Sequence, residues 1–173
     1  MAVQIAKLKG ARVAAIVSGD KKARIATDLG AERAINYRTE DVGAVVRDWT
    51  GKDGADIVFD TVGGDVFLSS LDLVAPHGML LNCAGFPWPI VAPAGVWMRG
   101  LRIGFENMGV PQIMADHGPR SAQCDLLEEA ARAFDNGDLC VRLHKVYPLE
   151  QAGQAQQDME DGNVVVRVAL TVP

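Results

Sequence analysis

From residue 12 onward the chain alternates between short apolar runs and amphipathic ones, and that order constrains its fold more than any other feature. Arg12 to Val17 has the composition of a strand buried on both faces. Asp20 to Leu29 reads as a helix with an Asp at its start and Gly30 at its end. Arg33 to Tyr37 reads as a strand, and Val42, Val45, Val46 and Trp49 then fall at the i, i+3, i+4, i+7 spacing of one helix face, closed by Gly51 and Gly54. Ile57, Val58 and Phe59 make a buried strand that ends on Asp60. The turn Thr61-Val62-Gly63-Gly64 leads into a helix carrying Phe67, Leu68, Leu71 and Val74, which Gly78 stops before the strand Met79-Leu80-Leu81. Strand and helix alternating in this way specify parallel strands joined by right-handed crossovers, with helices on both faces. The expected class is α/β with a doubly wound sheet.

Two stretches break the rhythm. Residues 86–100 hold Pro87, Pro89 and Pro93 among apolar residues, which favours an extended connection over a helix. Leu101, Ile103 and Phe105 then alternate as in a strand with one buried face. After a second irregular stretch, Gly109 to Arg120, a long helix carries Leu126, Leu127, Ala130, Ala131 and Phe134 and ends at Gly137. The tail reads as a strand through Leu139, Val141 and Leu143, a helix after Pro148, and a last strand from Val164 to Val172. In front of everything, Ala2, Val3, Ile5, Ala6 and Leu8 have helical spacing, with Gly10 at a left-handed C-cap position.

Composition narrows the partners. A net charge of -5 lacks the basic surface that nucleic acid or an anionic membrane would need. The start has no basic segment followed by an apolar one, and no run approaches the roughly 18 apolar residues of a membrane span. A cytoplasmic protein is the expectation. Cys83, Cys124 and Cys140 show no C-x-x-C spacing and read as small hydrophobes of a reducing compartment. His77, His117 and His144 have no ligand spacing either, so no metal site is expected.

In open α/β sheets ligands lie beyond the carboxyl ends of the strands. That singles out Ser18-Gly19-Asp20, Tyr37-Arg38, Asp60 to Gly64 and Cys83-Ala84-Gly85. None of the 18 glycines forms the G-x-G of a pyrophosphate-binding turn. Lys21, Lys22 and Arg24 beside Asp20 and Asp28 read equally as a solvated helix face, and Thr61 to Gly64 as a plain tight turn needing positive φ. Asp60 reads as a cap of the helix that follows.

These residues also carry a resemblance. The run LGA-x-x-x-INYR at Leu29 to Arg38, the D-x-VGG turn at Asp60 to Gly64 and the tail YPLEQAGQAQQDMEDGNVVVRVALT resemble the medium-chain dehydrogenase/reductase superfamily, most closely its zeta-crystallin-like quinone oxidoreductase branch among the zinc-binding dehydrogenases. The resemblance implies a Rossmann-like cofactor domain over residues 1–115 and a segment of the catalytic domain over 116–173. It implies that the first strand, the glycine-rich turn and the catalytic domain's other part precede the helix that begins M-A-x-Q-x-A-K. In the family's strand order 3-2-1-4-5-6 that first strand is central, so the two sheet halves would separate and expose two edges.

The function so implied is hydride transfer from NADPH, rather than NADH, to a quinone or an activated C=C, without a metal and without a catalytic acid, base or nucleophile from this chain. Val17 stands where the NAD-dependent relatives carry an acid. Ser18, Lys22, Tyr37 and Arg38 match the 2′-phosphate contacts, Thr61 and Val62 the adenosine side, and Ala84, Gly85 and Phe105 the nicotinamide side, although Phe105 is equally a core residue. The partners implied are a small-molecule acceptor and a second chain, either another copy paired along Leu101 to Phe105 or a complementary one. A non-catalytic remnant and a methyltransferase-like nucleotide fold remain as alternatives.

Overall fold

A computed structural model describes residues 1–85, 94–109, 113, 117–162 and 164–172. The elements follow in order: α1 (Ala2–Leu8), β1 (Ala14–Val17), α2 (Asp20–Asp28), β2 (Arg33–Asn36), α3 (Val42–Thr50), β3 (Ala55–Asp60), α4 (Asp65–Leu71), β4 (Val74–Asn82), α5 (Ala94–Met98), β5 (Arg102–Phe105), α6 (His117–Asp135), β6 (Leu143–Pro148), a 3-10 turn (Leu149–Gln151), α7 (Ala152–Glu160) and β7 (Arg167–Thr171). Among the described residues all strand pairs are parallel, in sheets of order β1-β2, β3-β4-β5 and β6-β7. The elements belong to two units, Met1–Asn36 with Asp125–Pro173, and Tyr37–Cys124.

In the first unit, Ala15 and Val17 of β1 pack with Ala34 of β2 beneath Ala23 and Ala26 of α2, and Val3 of α1 joins them. Small side chains let the helix lie close to the strands. Ile16, pointing to the other face, is 49% exposed, so β1 is buried on one face rather than both. Glu32 accepts from Lys7 Nζ at 3.1 Å and from Arg12 Nε at 3.0 Å, and these cations, Arg12 foremost, hold its carboxyl below the usual range. Gln4 is buried and its amide donates to the Cys140 carbonyl while accepting from the Cys140 N–H. That pairing takes the backbone of the stretch expected as strand Leu139 to Leu143, and β6 begins only at Leu143. The last strand is likewise shorter than expected, Arg167–Thr171, and its β7 register runs from Leu143↔Arg167 to Pro148↔Thr171.

Tyr147, at the end of β6, is 1% exposed and donates its hydroxyl to Asp158 of α7. Gln154 Nε2 donates to the other oxygen of Asp158 at 2.9 Å, and Lys145 Nζ lies 4.2 Å from the centre of the Tyr147 ring. The Tyr147 hydroxyl, then the Gln154 amide, hold the Asp158 carboxyl below the ordinary carboxylate range. A depressed folded-state pKa stabilises the fold above the unfolded value and loses that contribution as pH falls through the folded one. Thermal unfolding followed between about pH 6 and pH 2 should show midpoints falling with acid, and Asp158→Asn should flatten part of that fall.

In the second unit, Asp41 caps α3 by accepting from the Ala44 N–H at 2.9 Å, and Gly51 ends it with φ 67°. The sheet β3-β4-β5 packs Val58, Leu80 and Ile103 against Phe67, Leu71 and Val96, with Val74 and Leu101 in the same cluster. Full burial of such side chains contributes about 1.5–3 kcal/mol each. Ile57 and Phe59 project from the opposite face and stay 65% and 44% exposed, so of the three residues expected to make a buried strand only Val58 packs into the core.

α4 ends at Leu71, and Val74 opens β4 instead of continuing the helix. Val74 pairs with Ala55 and Met79 with Ile57, so residues 75–78 bulge out opposite Asp56, with His77 at φ 61°. Pro76 could not have sat inside a helix, and a β-branched Val74 suits the strand. Residues 94–98 form helix α5 where an extended connection was expected, because Pro93 precedes the helix and Val96 has a core to enter. Pro87, Pro89 and Pro93 themselves lie outside the described residues. Cys83, Cys124 and Cys140 are exposed free thiols.

Candidate cofactor site

Three parallel strands of the second unit end side by side, at Asp60, Asn82 and Phe105. Asp60 and Asn82 are register partners, 4% and 1% exposed. Asp60 Oδ1 accepts from the Val62 N–H at 2.9 Å and the Gly63 N–H at 3.0 Å, and its Oδ2 accepts from Asn82 Nδ2 at 2.8 Å. Asn82 Oδ1 accepts from the Gly85 N–H at 3.0 Å. Asp60 therefore joins the turn after β3 to the turn after β4, rather than capping α4 with its side chain.

The two turns touch. A Cβ on Gly63, whose φ is +72°, would stand 2.5 Å from the Gly85 carbonyl oxygen and 2.8 Å from that of Ala84. Only glycine fits such a position. Thr61, Val62, Ala84 and Gly85 all present themselves to solvent over this buried junction.

Beside it opens a cleft of about 740 Å3, walled by Phe59, Leu81, Gly85, Phe105 and Met108 with Asn82 at its base. Glu106 and Asn107 add polar groups, and the described lining carries no imidazole or amine. Phe105 stacks its ring on Phe67 at 6.0 Å and 18°, and at 47% exposure it lines the cleft. The sequence reading did not single out Asn82. Its signal was one polar residue ending an apolar strand, directly paired with another, Asp60.

Ser18 and Lys22 lie in the first unit. Ser18 is half-buried between β1 and α2, and Lys22 is exposed in the first turn of α2. Val17, at the end of β1, is buried. Tyr37 and Arg38 open the second unit directly after β2; Tyr37 is 53% exposed and the Arg38 guanidinium lies 5.9 Å from its ring centre.

Comparison with known proteins decides the family. The profile described as "Zinc-binding dehydrogenase" matches residues 1–115. The chain belongs to the zinc-binding dehydrogenase family. It is 30% identical over 164 residues to 2-haloacrylate reductase of Burkholderia sp, covering 93% of this chain and 48% of that protein. Among solved structures, an NAD-dependent alcohol dehydrogenase is 32% identical with a TM-score of 0.83, covering 99% of this chain and 47% of the other. A mycobacterial protein complexed with NADPH is 28% identical with a TM-score of 0.76, covering 98% and 53%. Quinone oxidoreductases occur among both the curated relatives and the solved structures. The chain spans about half the length of the curated relatives it matches.

Despite the family's description, the described residues do not assemble a zinc site: no three of His, Cys, Asp and Glu stand together in reach of one ion. No described helix is long and apolar enough to cross a membrane. A dinucleotide fits the residues better. Small exposed residues, Ala84 and Gly85, meet the requirement for near approach of a ring and its ribose, and the apolar cleft beside them has room for a flat heterocycle.

Proposed function

We propose that this chain is the cofactor-binding part of an NADPH-dependent oxidoreductase that passes hydride to a quinone or to a C=C activated by a neighbouring acceptor group. The observation that carries the reading is the apolar cleft beside the Ala84-Gly85 turn, at the carboxyl ends of three parallel strands in a chain of this family. A bound reduced nicotinamide supplies the hydride, and the residues of this chain bind and orient it. Ala84, Gly85 and Phe105 lie against the nicotinamide side, Thr61 and Val62 along the adenosine side. By their match to the family's residues, the Ser18 hydroxyl and Lys22 cation of the first unit are assigned to the 2′-phosphate, as are the Tyr37 hydroxyl and Arg38 cation of the second, and Val17 offers no acid to the ribose 2′-hydroxyl. In this reading residues 1–115 form the cofactor domain and 116–173 a segment of the catalytic domain. The small-molecule acceptor meets the ring in the cleft, and the haloacrylate named for one relative is of the same class, an activated alkene.

Exposed apolar side chains favour a second reading in which the chain acts as a non-catalytic remnant or subunit. Ile57, Leu126, Leu127 and Val172 are each more than half exposed, and a surface of that kind is suited to another chain, a second copy or a complementary one.

One titration tests both readings. Nicotinamide fluorescence should report tighter binding of NADPH than of NADH, to a species whose mass by light scattering exceeds the 18.5 kDa of one chain. Lys22→Ala should weaken NADPH about tenfold, near 1.4 kcal/mol, and leave NADH unchanged. Equal affinities for the two dinucleotides would sink the phosphate assignment, and absence of binding to either would leave the subunit reading.

A further inference from the structure

We propose that Asp60 and Asn82 are positioning residues of the cofactor site, a buried pair that holds the turns 61–64 and 83–85 in the one relation that lets a dinucleotide lie across both; the inference rests on the cofactor reading above. Four hydrogen bonds converge on the two side chains, between 2.8 and 3.0 Å, and only one of them joins the side chains to each other. The other three end on backbone N–H groups of the turns, at Val62, Gly63 and Gly85. Stability does not demand this arrangement. β3 and β4 are already joined by their ladder and by the cluster around Leu80, and a buried carboxylate with an amide partner is commonly no better for folding than an apolar pair. The polar atoms serve the turns. Their anchors are buried while Thr61, Val62, Ala84 and Gly85 face outward, and the Gly63 contact with the Gly85 carbonyl tolerates no slack.

The pair is also directional. Asn82 must donate to Asp60 with its nitrogen and accept from the Gly85 N–H with its oxygen, so neither residue can change alone without losing a partner. Asp60→Asn sets two amide nitrogens face to face unless Asn82 turns over and abandons Gly85. Asn82→Asp sets two carboxyl groups together, a combination that shares a proton in acid and repels when both are ionised. The reciprocal change, Asp60→Asn with Asn82→Asp, restores every bond: the new amide accepts from both turn N–H groups and donates across, and the new carboxylate accepts from Gly85.

The test compares the full chain, both single variants and the reciprocal double variant by NADPH titration, together with amide hydrogen exchange at Val62, Gly63 and Gly85. Both single variants should bind NADPH at least about tenfold more weakly and exchange the Gly85 amide faster. The loss in Asn82→Asp should be larger near pH 8 than near pH 5.5, where the shared proton relieves the repulsion. The double variant should return affinity and exchange to within about twofold of the parent, and thermal midpoints within about 4 °C of the parent in the single variants separate a displaced turn from a lost fold. Unchanged NADPH affinity in single variants whose Gly85 amide exchanges faster overturns the positioning role, as does a double variant that stays weak. A parent chain that binds neither NADPH nor NADH overturns the cofactor reading itself, and the role of the pair with it.

Discussion

Gly63→Ala is expected to destabilise the Tyr37–Cys124 unit by about 3 kcal/mol, combining backbone strain with overpacking. The added methyl would meet two backbone carbonyl oxygens, those of Gly85 and Ala84, which cannot swing aside as a flexible side chain would. The residue also sits at φ +72°, where an L side chain is itself disfavoured. Gly51→Ala provides the comparison: its φ of 67° and ψ of 19° are left-handed but nothing lies within 4 Å of its added Cβ, so only the conformational cost of about 1 kcal/mol remains. Urea unfolding of the two variants should separate them by about 2 kcal/mol. Equal midpoints would mean that the two turns do not press together as described.

Phe67→Ala is expected to cost about 4 kcal/mol, the largest effect of any single side chain in this unit. Phe67 is fully buried and joins α4 to the sheet through Leu80 and Val58. Its removal leaves a cavity beneath Phe105, whose ring loses its stacking partner, so the cleft wall should loosen as well. Leu68→Ala, on the exposed side of the same helix at 38%, should cost under about 1 kcal/mol. Thermal midpoints for the pair, with NADPH titration of whichever variants fold, read both consequences.

Much of this arrangement was legible in the residues, for a reason that also explains the misreadings. The stripe Val42, Val45, Val46, Trp49 names a helix because its spacing matches one face and its ends carry Asp41 and Gly51. Spacing misled at Val74, which continues the helical series of Phe67 and Leu71 but pairs with Ala55, a partner 19 residues away that no local pattern reveals. The same holds at Leu139 and Val141, whose alternation resembles a strand until the Gln4 side chain takes the backbone of Cys140. Ile57 and Phe59 read as buried because apolar runs in parallel sheets usually are, and hydropathy does not say which face receives a cover. At the site, glycines and strand ends marked Gly63 and Gly85 in advance. Asn82 escaped because its importance lies in register, in standing beside Asp60, and register belongs to the pair of strands rather than to either sequence segment.

The division of the chain bears on how it comes into being on the ribosome. The unit Tyr37–Cys124 is a single uninterrupted stretch, whereas the other is assembled from Met1–Asn36 and Asp125–Pro173. The bonds between Gln4 and Cys140 join residues 136 apart and have no counterpart until that late segment has been made. Synthesis proceeds from the N-terminus at about 5–20 residues per second. Of the two pieces of the first unit, Met1–Asn36 thus leaves the ribosome before the stretch that completes it, and for several seconds Gln4 waits for Cys140 while the intervening Tyr37–Cys124 stretch is already made.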